Sequence, residues 1–135
     1  MKVFILTIFL SLSVFAQSSV LNSYLKTLNS EVLKEEPAFK GFDAKRGEVV
    51  FTSKHIGKKG KEISCVSCHG NDLSKKGENF FTGKVIEPLS PSANVERLSN
   101  LKDIEKWLRR NFIDVYNREG TAKEKGDVLL YIISK

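Results

Sequence analysis

The chain has 135 residues, of which 41% are hydrophobic and 28% charged, and its formal net charge is +6 at pH 7. This length predicts one domain with a core of its own. The basic residues follow no recognisable nucleic-acid-binding motif, so no nucleic-acid partner is expected despite the positive charge. With two cysteines and two histidines in all, the chain also offers few ligands for a zinc site.

The first 16 residues are predicted to be a cleaved export signal. Lys2 provides a positive start, an apolar run covers residues 3–16, and the run ends in Val-Phe-Ala, a pattern that signal peptidase accepts. The run is shorter than the roughly 20 residues that span a bilayer. We therefore expect a periplasmic protein that starts near Gln17, with an uncleaved N-terminal anchor as the alternative.

Two helices are predicted next. Apolar residues at helical spacing predict the first helix over residues 18–36, and Pro37 ends it. Asp43 is a good N-cap, so the second helix is expected to start there and to run through Gly47 and Phe51.

The C-terminal half predicts two further helices and no strand. Residues 70–98 are rich in glycine and proline and are expected to be irregular. A third helix is predicted from Leu101 to about Arg110, and a fourth begins at Thr121, which forms a capping box with Glu124. The chain is thus divided into an export signal, a helical extension and a main domain, at residues 1–16, 17–40 and 41–135.

The segment Cys65-Val66-Ser67-Cys68-His69 carries the strongest chemical signal. The spacing C-x-x-C-H is typical of the attachment of c-type haem. Cys65 and Cys68 would form thioethers to one porphyrin, and His69 would ligate its iron from the proximal side. One covalently bound haem c is therefore the predicted cofactor.

Three other uses of the cysteine pair are open at this point. A disulfide that closes so short a loop would add little stability. A thioredoxin-type thiol oxidoreductase needs a strand before the motif, whereas residues 58–63 form a polar loop that contains glycine. A metal site would need ligands beyond His55, the one other histidine.

Lysines cluster around the motif. A basic rim beside an exposed haem edge would steer an acidic redox partner towards it. The alternative is a solvated loop that keeps the protein soluble. The lysines in question are Lys54, Lys58, Lys59, Lys61, Lys75 and Lys76.

The order of these features resembles the class I cytochromes c. In that fold an N-terminal helix crosses a C-terminal helix, and the crossing needs a small residue against an aromatic one. Gly47, Phe51 and Tyr131 match those parts, although they could also be ordinary core residues. The expected architecture is an all-α, class I cytochrome c-like fold around one haem.

The second axial ligand is not the usual one. Electron-transfer members of class I generally use a methionine downstream of the haem motif, and the one methionine here is Met1, which export removes. His55 lies in a lysine-rich loop and is expected to be a surface residue. An oxygen or nitrogen donor of modest strength, or an open site, therefore remains.

Three runs of sequence resemble the family of the sphaeroides haem protein, an oxygen-binding monohaem cytochrome c. They are TGKVIEPLSPSA at 82–93, EKWLRRN at 105–111 and EKGDVL at 124–129. The likeness extends from about Asp43 to the end of the chain. In that family the distal ligand of the oxidised iron is an asparagine after a Lys-Trp-x-x-Arg segment, which implies Asn111 here.

The resemblance also implies roles for the neighbours of Asn111. An amide oxygen is a hard donor that should prefer ferric iron, so reduction should release Asn111 and leave a site for O2, NO or CO. Trp107 would wall the distal pocket, and Arg109 and Arg110 would meet haem propionates or solvent. Asn94 is the second choice as ligand, and without the resemblance Asn111 would be taken for a helix C-cap.

One departure from the family concerns a disulfide. Relatives carry a cysteine just after the ligand asparagine and another some eight residues later, where this chain has Phe112 and Gly120. The loop that bears Asn111 is then ordered only by the packing of Phe112, Ile113 and Tyr116. The distal side is expected to open more easily than in such relatives, and Tyr116 could offer a competing oxygen ligand or be a core aromatic.

Two functions follow. The first is a redox-gated binder of diatomic gases, with turnover of NO and O2 to nitrate as the haem-dependent oxidoreductase activity that the resemblance suggests. The second is simple electron transfer between periplasmic or membrane cytochromes. Either would need a redox partner, such as a dihaem cytochrome c or a membrane cytochrome b.

Overall fold

The computed structural model describes the backbone of residues 12–135 and the side chains of residues 19–135. In chain order the elements are α1 (Leu12–Glu35), α2 (Ala44–Thr52), β1 (His55–Ile56), β2 (Glu62–Ile63), α3 (Val66–His69), β3 (Gly77–Glu78), β4 (Val85–Ile86), α4 (Leu101–Tyr116) and α5 (Ala122–Ile133). Of the predicted export signal, residues 1–11 lie outside the described part of the chain. The cleavage of that signal therefore remains a prediction.

The predicted helical character is confirmed, and two of the predicted helix starts are found where expected. The side chain of Asp43 accepts a hydrogen bond from the amide of Arg46 and caps α2. Thr121 and Glu124 form the reciprocal capping box of α5. Hydrogen bonds between residues close in sequence therefore define where both helices start.

The structure differs from the prediction at α4 and in the irregular segments. α4 continues to Tyr116, roughly two turns beyond Arg110, because Phe112 and Val115 extend its buried face. It ends at Asn117, which has a positive φ of 54°.

The strands, which the sequence did not predict, form two antiparallel hairpins, β1–β2 and β3–β4. Each strand has two residues, too short for an alternating pattern to be visible in the sequence.

The closest helix packing is the crossing of α2 and α5. A Cβ at Gly47 would collide with the carbonyl oxygen of Asp127 and would lie 3.0 Å from Cβ of Tyr131. One turn along α2, the ring of Phe51 packs against that of Tyr131, with 5.3 Å between the centroids. The small residue and the aromatic pair predicted for a helix crossing are thus confirmed as neighbours.

A buried carboxylate holds the same crossing from its other side. Asp127 is 3% exposed and accepts hydrogen bonds from the Arg46 guanidinium, both 2.8 Å long, and from the Asp43 amide at 2.7 Å. A buried carboxylate needs such a full set of donors, because its charge has lost the solvation of water. This network fixes the start of α2 to the middle of α5.

Helix α1 packs on the outside of this crossing. Its Leu21, Tyr24 and Leu28 are buried in the same core cluster as Leu108 of α4 and Leu129 of α5. No helix in the described part of the chain is long and apolar enough to cross a membrane. The division into an extension over 17–40 and a domain over 41–135 remains a prediction.

Substitution of Gly47 by alanine should destabilise the protein by about 2 kcal/mol or more, because the added methyl group must push α5 away from α2. Helix propensity alone would predict a gain of about 1 kcal/mol for the same change. Urea unfolding followed by far-ultraviolet circular dichroism measures the difference. Val49→Ala, at an exposed position of α2, is the matched control and should change stability by less than about 0.5 kcal/mol. Equal stability of the two variants would contradict the close approach.

Candidate functional site

A cavity of about 910 Å³, part of it open to solvent, lies between the helices. That volume includes open solvent at the mouth, and the space inside the cavity itself is about 160 Å³. The walls come from α2, from the segment that contains α3, from the loop before α4, and from α4 and α5. The lining residues that bear on function are Phe51, Cys65, His69, Leu89, Arg97, Trp107, Leu108, Asn111, Phe112 and Leu129.

The C-x-x-C-H segment folds into one short helical turn at the wall of this cavity. The amides of Cys68 and His69 both donate to the carbonyl of Cys65, over 3.2 and 3.0 Å. Gly70 ends the turn with a φ of 72°, a conformation that glycine adopts without strain. The turn brings Cys65 and His69 to the lining of one cavity, whereas Cys68 is not among the lining residues.

His69 is well suited to bind a metal. Burial, with a smaller contribution from the positive charge of Arg97, lowers the pKa of His69 to about 4. The imidazole is therefore neutral at pH 7 and keeps a nitrogen lone pair for a ligand bond. The ring also packs beside Phe51, with centroids 6.0 Å apart, so α2 supports its position.

The thiols do not resemble a redox pair. Both cysteines are free in the structure, and burial, with a smaller effect of Cys68, raises the pKa of Cys65 to about 12. Thiol oxidoreductases need the opposite, a thiolate favoured by nearby positive charge. The described residues include no group of three or more His, Cys, Asp or Glu side chains that could hold a metal ion.

Asn111 lies in the cavity wall and within α4. The helix continues for more than a turn beyond it, so the alternative that Asn111 is a C-cap is wrong, and the prediction of a ligand-bearing loop is also wrong. Its amide forms no hydrogen bond with any described residue. Asn94, the second choice as ligand, already donates a hydrogen bond to the carbonyl of Pro88 over 3.2 Å. The side chain of Asn100, which also lines the cavity, caps α4.

Trp107 lies one helical turn before Asn111 on the same wall, as predicted. It is 43% exposed, so it forms part of the cavity mouth rather than of the core. The cations of Lys106 and Arg110 lie 5.1 and 5.0 Å from its ring. Arg109 instead pairs with Glu119 at the surface over 2.6 Å. Neither Arg109 nor Arg110 lines the cavity.

Arg97 is the cationic lining residue that the sequence analysis missed. Its guanidinium donates to the carbonyls of Pro88 and Glu87, each over 2.8 Å, and so holds the loop before α4 over the cavity. An arginine inside an irregular segment gives no periodic signal, which is why the sequence did not single it out.

The positions where relatives carry cysteines are in direct contact. The ring of Phe112 is buried in the core cluster, and a Cβ built on Gly120 would lie 2.7 Å from it. Glycine is therefore required where the loop between α4 and α5 passes over the ring. The contact holds the loop against α4 without a covalent bond.

His55 is not a plain surface residue, so that expectation is wrong. Its ring packs on Tyr116 with centroids 4.0 Å apart, and its Nε2 is buried without a hydrogen-bond partner among the described residues. The Tyr116 hydroxyl donates to the carbonyl of Val50 over 2.6 Å, and neither side chain lines the cavity. Tyr116 is thus the core aromatic of the two alternatives.

The lysine rim divides into two groups. Lys54, Lys75 and Lys76 form surface ion pairs with Glu62, Asp72 and Glu87. Lys58, Lys59 and Lys61 are exposed and have no acidic partner in the described part of the chain. The second group is therefore free to interact with an external anion or acidic surface.

These residues fit a covalently bound haem. The cavity is mostly apolar, two thiols lie one helical turn apart, and a neutral imidazole follows them directly. A cationic side chain, Arg97, lines the same cavity and could balance the negative charge of haem carboxylates.

Comparison with known proteins agrees with this assignment. Residues 37–132 match a family described as a domain of unknown function, DUF1924. The chain is 41% identical to cytochrome c-type protein SHP of Cereibacter sphaeroides over 93 residues, 69% of this chain and 71% of that protein. It is 30% identical to cytochrome c'' of Methylophilus methylotrophus over 89 residues, 66% of this chain and 62% of the other.

Solved structures show the same fold. Oxidised SHP, described as an oxygen-binding cytochrome c, superposes with a TM-score of 0.70 and 33% identity over 88% of this chain and 96% of its own. Oxidised cytochrome c'' of Methylophilus methylotrophus gives a TM-score of 0.75 over 90% of this chain and 96% of its own, with 24% identity. At that identity the second match is evidence of fold alone.

Proposed function

Since this chain belongs to the DUF1924 family and, with it, to the SHP-like monohaem cytochromes c, we propose that it is a periplasmic cytochrome that binds diatomic gases when it is reduced. Family membership confirms the predicted helical cytochrome fold and the haem c cofactor. Cys65 and Cys68 would hold the haem, and His69 and a displaceable Asn111 would ligate its iron. The bound haem would supply an iron that changes oxidation state and offers one coordination position to a ligand.

The observation that supports Asn111 is its unused amide. Its side chain lies in the wall of the cavity that His69 also lines, and it has no hydrogen-bond partner among the described residues. Asn94 and Asn100, by contrast, each use the side chain to hold the backbone. An amide with no structural role is the one most free to serve a ligand.

The chemistry of an amide explains why the site would depend on the redox state. An amide oxygen is a hard, neutral donor and favours ferric over ferrous iron, so Asn111 would be released on reduction. Its NH2 group could then donate a hydrogen bond to a gas held in the cavity. The same side chain would therefore close the site in one state and assist binding in the other.

Relatives support the transfer of this function. SHP is an oxygen-binding cytochrome c, and it is the relative with 41% identity to this chain. We extend the proposal to NO dioxygenation, in which one NO, one O2 and one electron give one nitrate.

Simple electron transfer is the second candidate. The exposed lysines 58, 59 and 61 favour it, because an unpaired basic surface attracts an acidic redox partner. A dihaem cytochrome c or a membrane cytochrome b would be such a partner. The two candidates share the need for an electron donor and differ in what the reduced protein does next.

Gas binding is tested on the holoprotein reduced by dithionite, with excess reductant removed. We expect the absorption spectrum to change on addition of O2, NO or CO, and the oxygenated protein to consume NO rapidly and produce nitrate. A ferrous protein that is inert to O2 and NO would contradict the proposal and leave electron transfer as the function.

Substitution of Asn111 by alanine should change the ferric absorption spectrum, because the iron loses its distal donor. The ferrous spectrum should change little, since Asn111 is then already released. Asn94→Ala is the matched control, and its ferric spectrum should equal that of the parent. An unchanged ferric spectrum in Asn111→Ala would refute the ligand assignment.

A covalent link in place of the Phe112–Gly120 contact should slow opening of the distal wall. We expect Phe112→Cys/Gly120→Cys, in its oxidised form, to bind azide about tenfold or more slowly in the ferric state than its reduced control. Stopped-flow absorption measures the rate. The Phe112→Ser/Gly120→Ser variant, which loses the same ring without forming a bond, is the control. Equal rates in the two variants would show that this loop does not limit access.

A further inference from the structure

The β3–β4 hairpin presents an apolar surface to solvent. Phe80 is 54% exposed and Val85 65% exposed, and the ring of Phe81 packs edge-on against Phe80 with 5.2 Å between centroids. We call the surface formed by Phe80, Phe81 and Val85 the hairpin patch. Neighbouring exposed aromatic residues are unusual on a free surface and common at protein interfaces.

This hairpin is fixed to the haem-attachment segment. The amide of Phe80 donates to Sγ of Cys68 over 3.3 Å. A Cβ at Gly77 would collide with the carbonyl of Cys68, so the start of the hairpin packs directly on that backbone. The hairpin patch therefore begins one hydrogen bond from the sulfur that would be covalently joined to the haem.

Two lysines without an ion pair among the described residues, Lys59 and Lys84, lie at the hairpin patch. Nζ of Lys59 lies 4.4 Å from the ring of Phe81, and this contact joins the turn at 57–61 to the hairpin. Lys84, in the hairpin turn, is exposed and has no ion pair among the described residues, and the same holds for Lys58 and Lys61. Glu78 is the acidic residue on the hairpin itself.

We propose that the hairpin patch is the docking surface for the electron donor, and that this donor is a redox protein with an acidic rim around an apolar centre. This inference rests on the proposed function, which requires a source of electrons. The lysines would steer the acidic rim, and Phe80 with Val85 would exclude water at the centre of a small, transient interface. The one electron would pass from the donor's cofactor to the iron by way of the Cys68 side.

This placement separates the route of electrons from the route of gas. None of the residues of the hairpin patch lines the cavity, whereas the exposed Trp107 of α4 does. A donor bound at the hairpin patch would therefore leave the cavity mouth accessible. Reduction and gas binding could then proceed without dissociation of the donor.

The test measures reduction of the ferric holoprotein by reduced flavodoxin, an acidic one-electron donor, in a stopped-flow instrument at low and high salt. Lys59→Glu/Lys84→Glu should lower the second-order rate constant about tenfold or more at low salt and flatten its salt dependence. Phe80→Ser should lower the rate at both salt concentrations. Reduction by photoreduced riboflavin, a neutral small molecule, should stay unchanged in all variants.

The matched controls carry the same changes elsewhere. Lys45→Glu/Lys102→Glu alters two exposed lysines of α2 and α4 that have no ion pair among the described residues, and Val49→Ser alters an exposed apolar residue of α2. Equal loss of rate in the control and hairpin variants would overturn the proposal, since net charge would then suffice. Lysine-dependent binding to phosphatidylserine vesicles, without any effect on flavodoxin, would overturn it in favour of a membrane surface.

The outcome is independent of gas binding. The flavodoxin assay reports only electron transfer to the ferric protein, whereas gas binding is measured after chemical reduction. A ferrous protein that ignores O2 and NO would refute the proposed function and leave the docking result intact. Unchanged flavodoxin rates in a gas-binding protein would refute the docking surface alone.

Discussion

The close approach of α2 and α5 at Gly47 is the constraint on which the rest of the structure depends. With no side chain between them, the backbones of the two helices meet, and the carboxylate of Asp127 receives the Arg46 guanidinium and the start of α2. Phe51, one turn further along α2, then reaches both Tyr131 and the ring of His69. The position of the His69 imidazole is thus set by a helix crossing whose Gly47 and Tyr131 do not themselves line the cavity.

Helix α4 must both anchor itself in the core and present side chains to the cavity. Its buried face, formed by Ile104, Leu108, Phe112 and Val115, anchors the helix in the core, while Trp107 and Asn111 lie on the flank that lines the cavity. Because Asn111 is held by a helix with a continuous hydrogen-bond ladder, its release from a metal would require a change of side-chain rotamer or a shift of the whole helix end. If Asn111 lay on a loop, movement of the loop alone could release it.

The sequence predicted those parts of the site that local chemistry determines. C-x-x-C-H fixes its own covalent geometry, and the capping residues Asp43 and Thr121 act within one helical turn. The absence of a downstream methionine excluded the usual ligand by composition alone. The resemblance to a family then supplied Asn111, which spacing could not have distinguished from a helix cap.

What the sequence did not predict depends on contacts between distant segments. Arg97 is held in the cavity wall by hydrogen bonds to carbonyl groups of a proline-containing loop. No periodic pattern in the sequence predicts such a contact. The packing of the His55 ring on Tyr116 requires α4 to extend beyond its predicted end. The hairpins have strands of two residues, and their positions depend on tertiary packing: β3–β4 packs against α3 and β1–β2 against α4.

Because the ring of Phe112 packs on Gly120, the free energy of opening the distal wall, the side of the cavity that α4 forms, should depend on temperature. A disulfide at the same place would not produce this dependence. If opening of the loop between α4 and α5 brings this ring into water, it carries a positive heat-capacity change, and the free energy of opening then curves with temperature. Apolar contacts weaken on cooling as well as at high temperature. The distal wall would therefore be most stable against opening over an intermediate range of temperature. The rate at which a ligand reaches the iron would then depend on the free energy of hydrating one phenyl group.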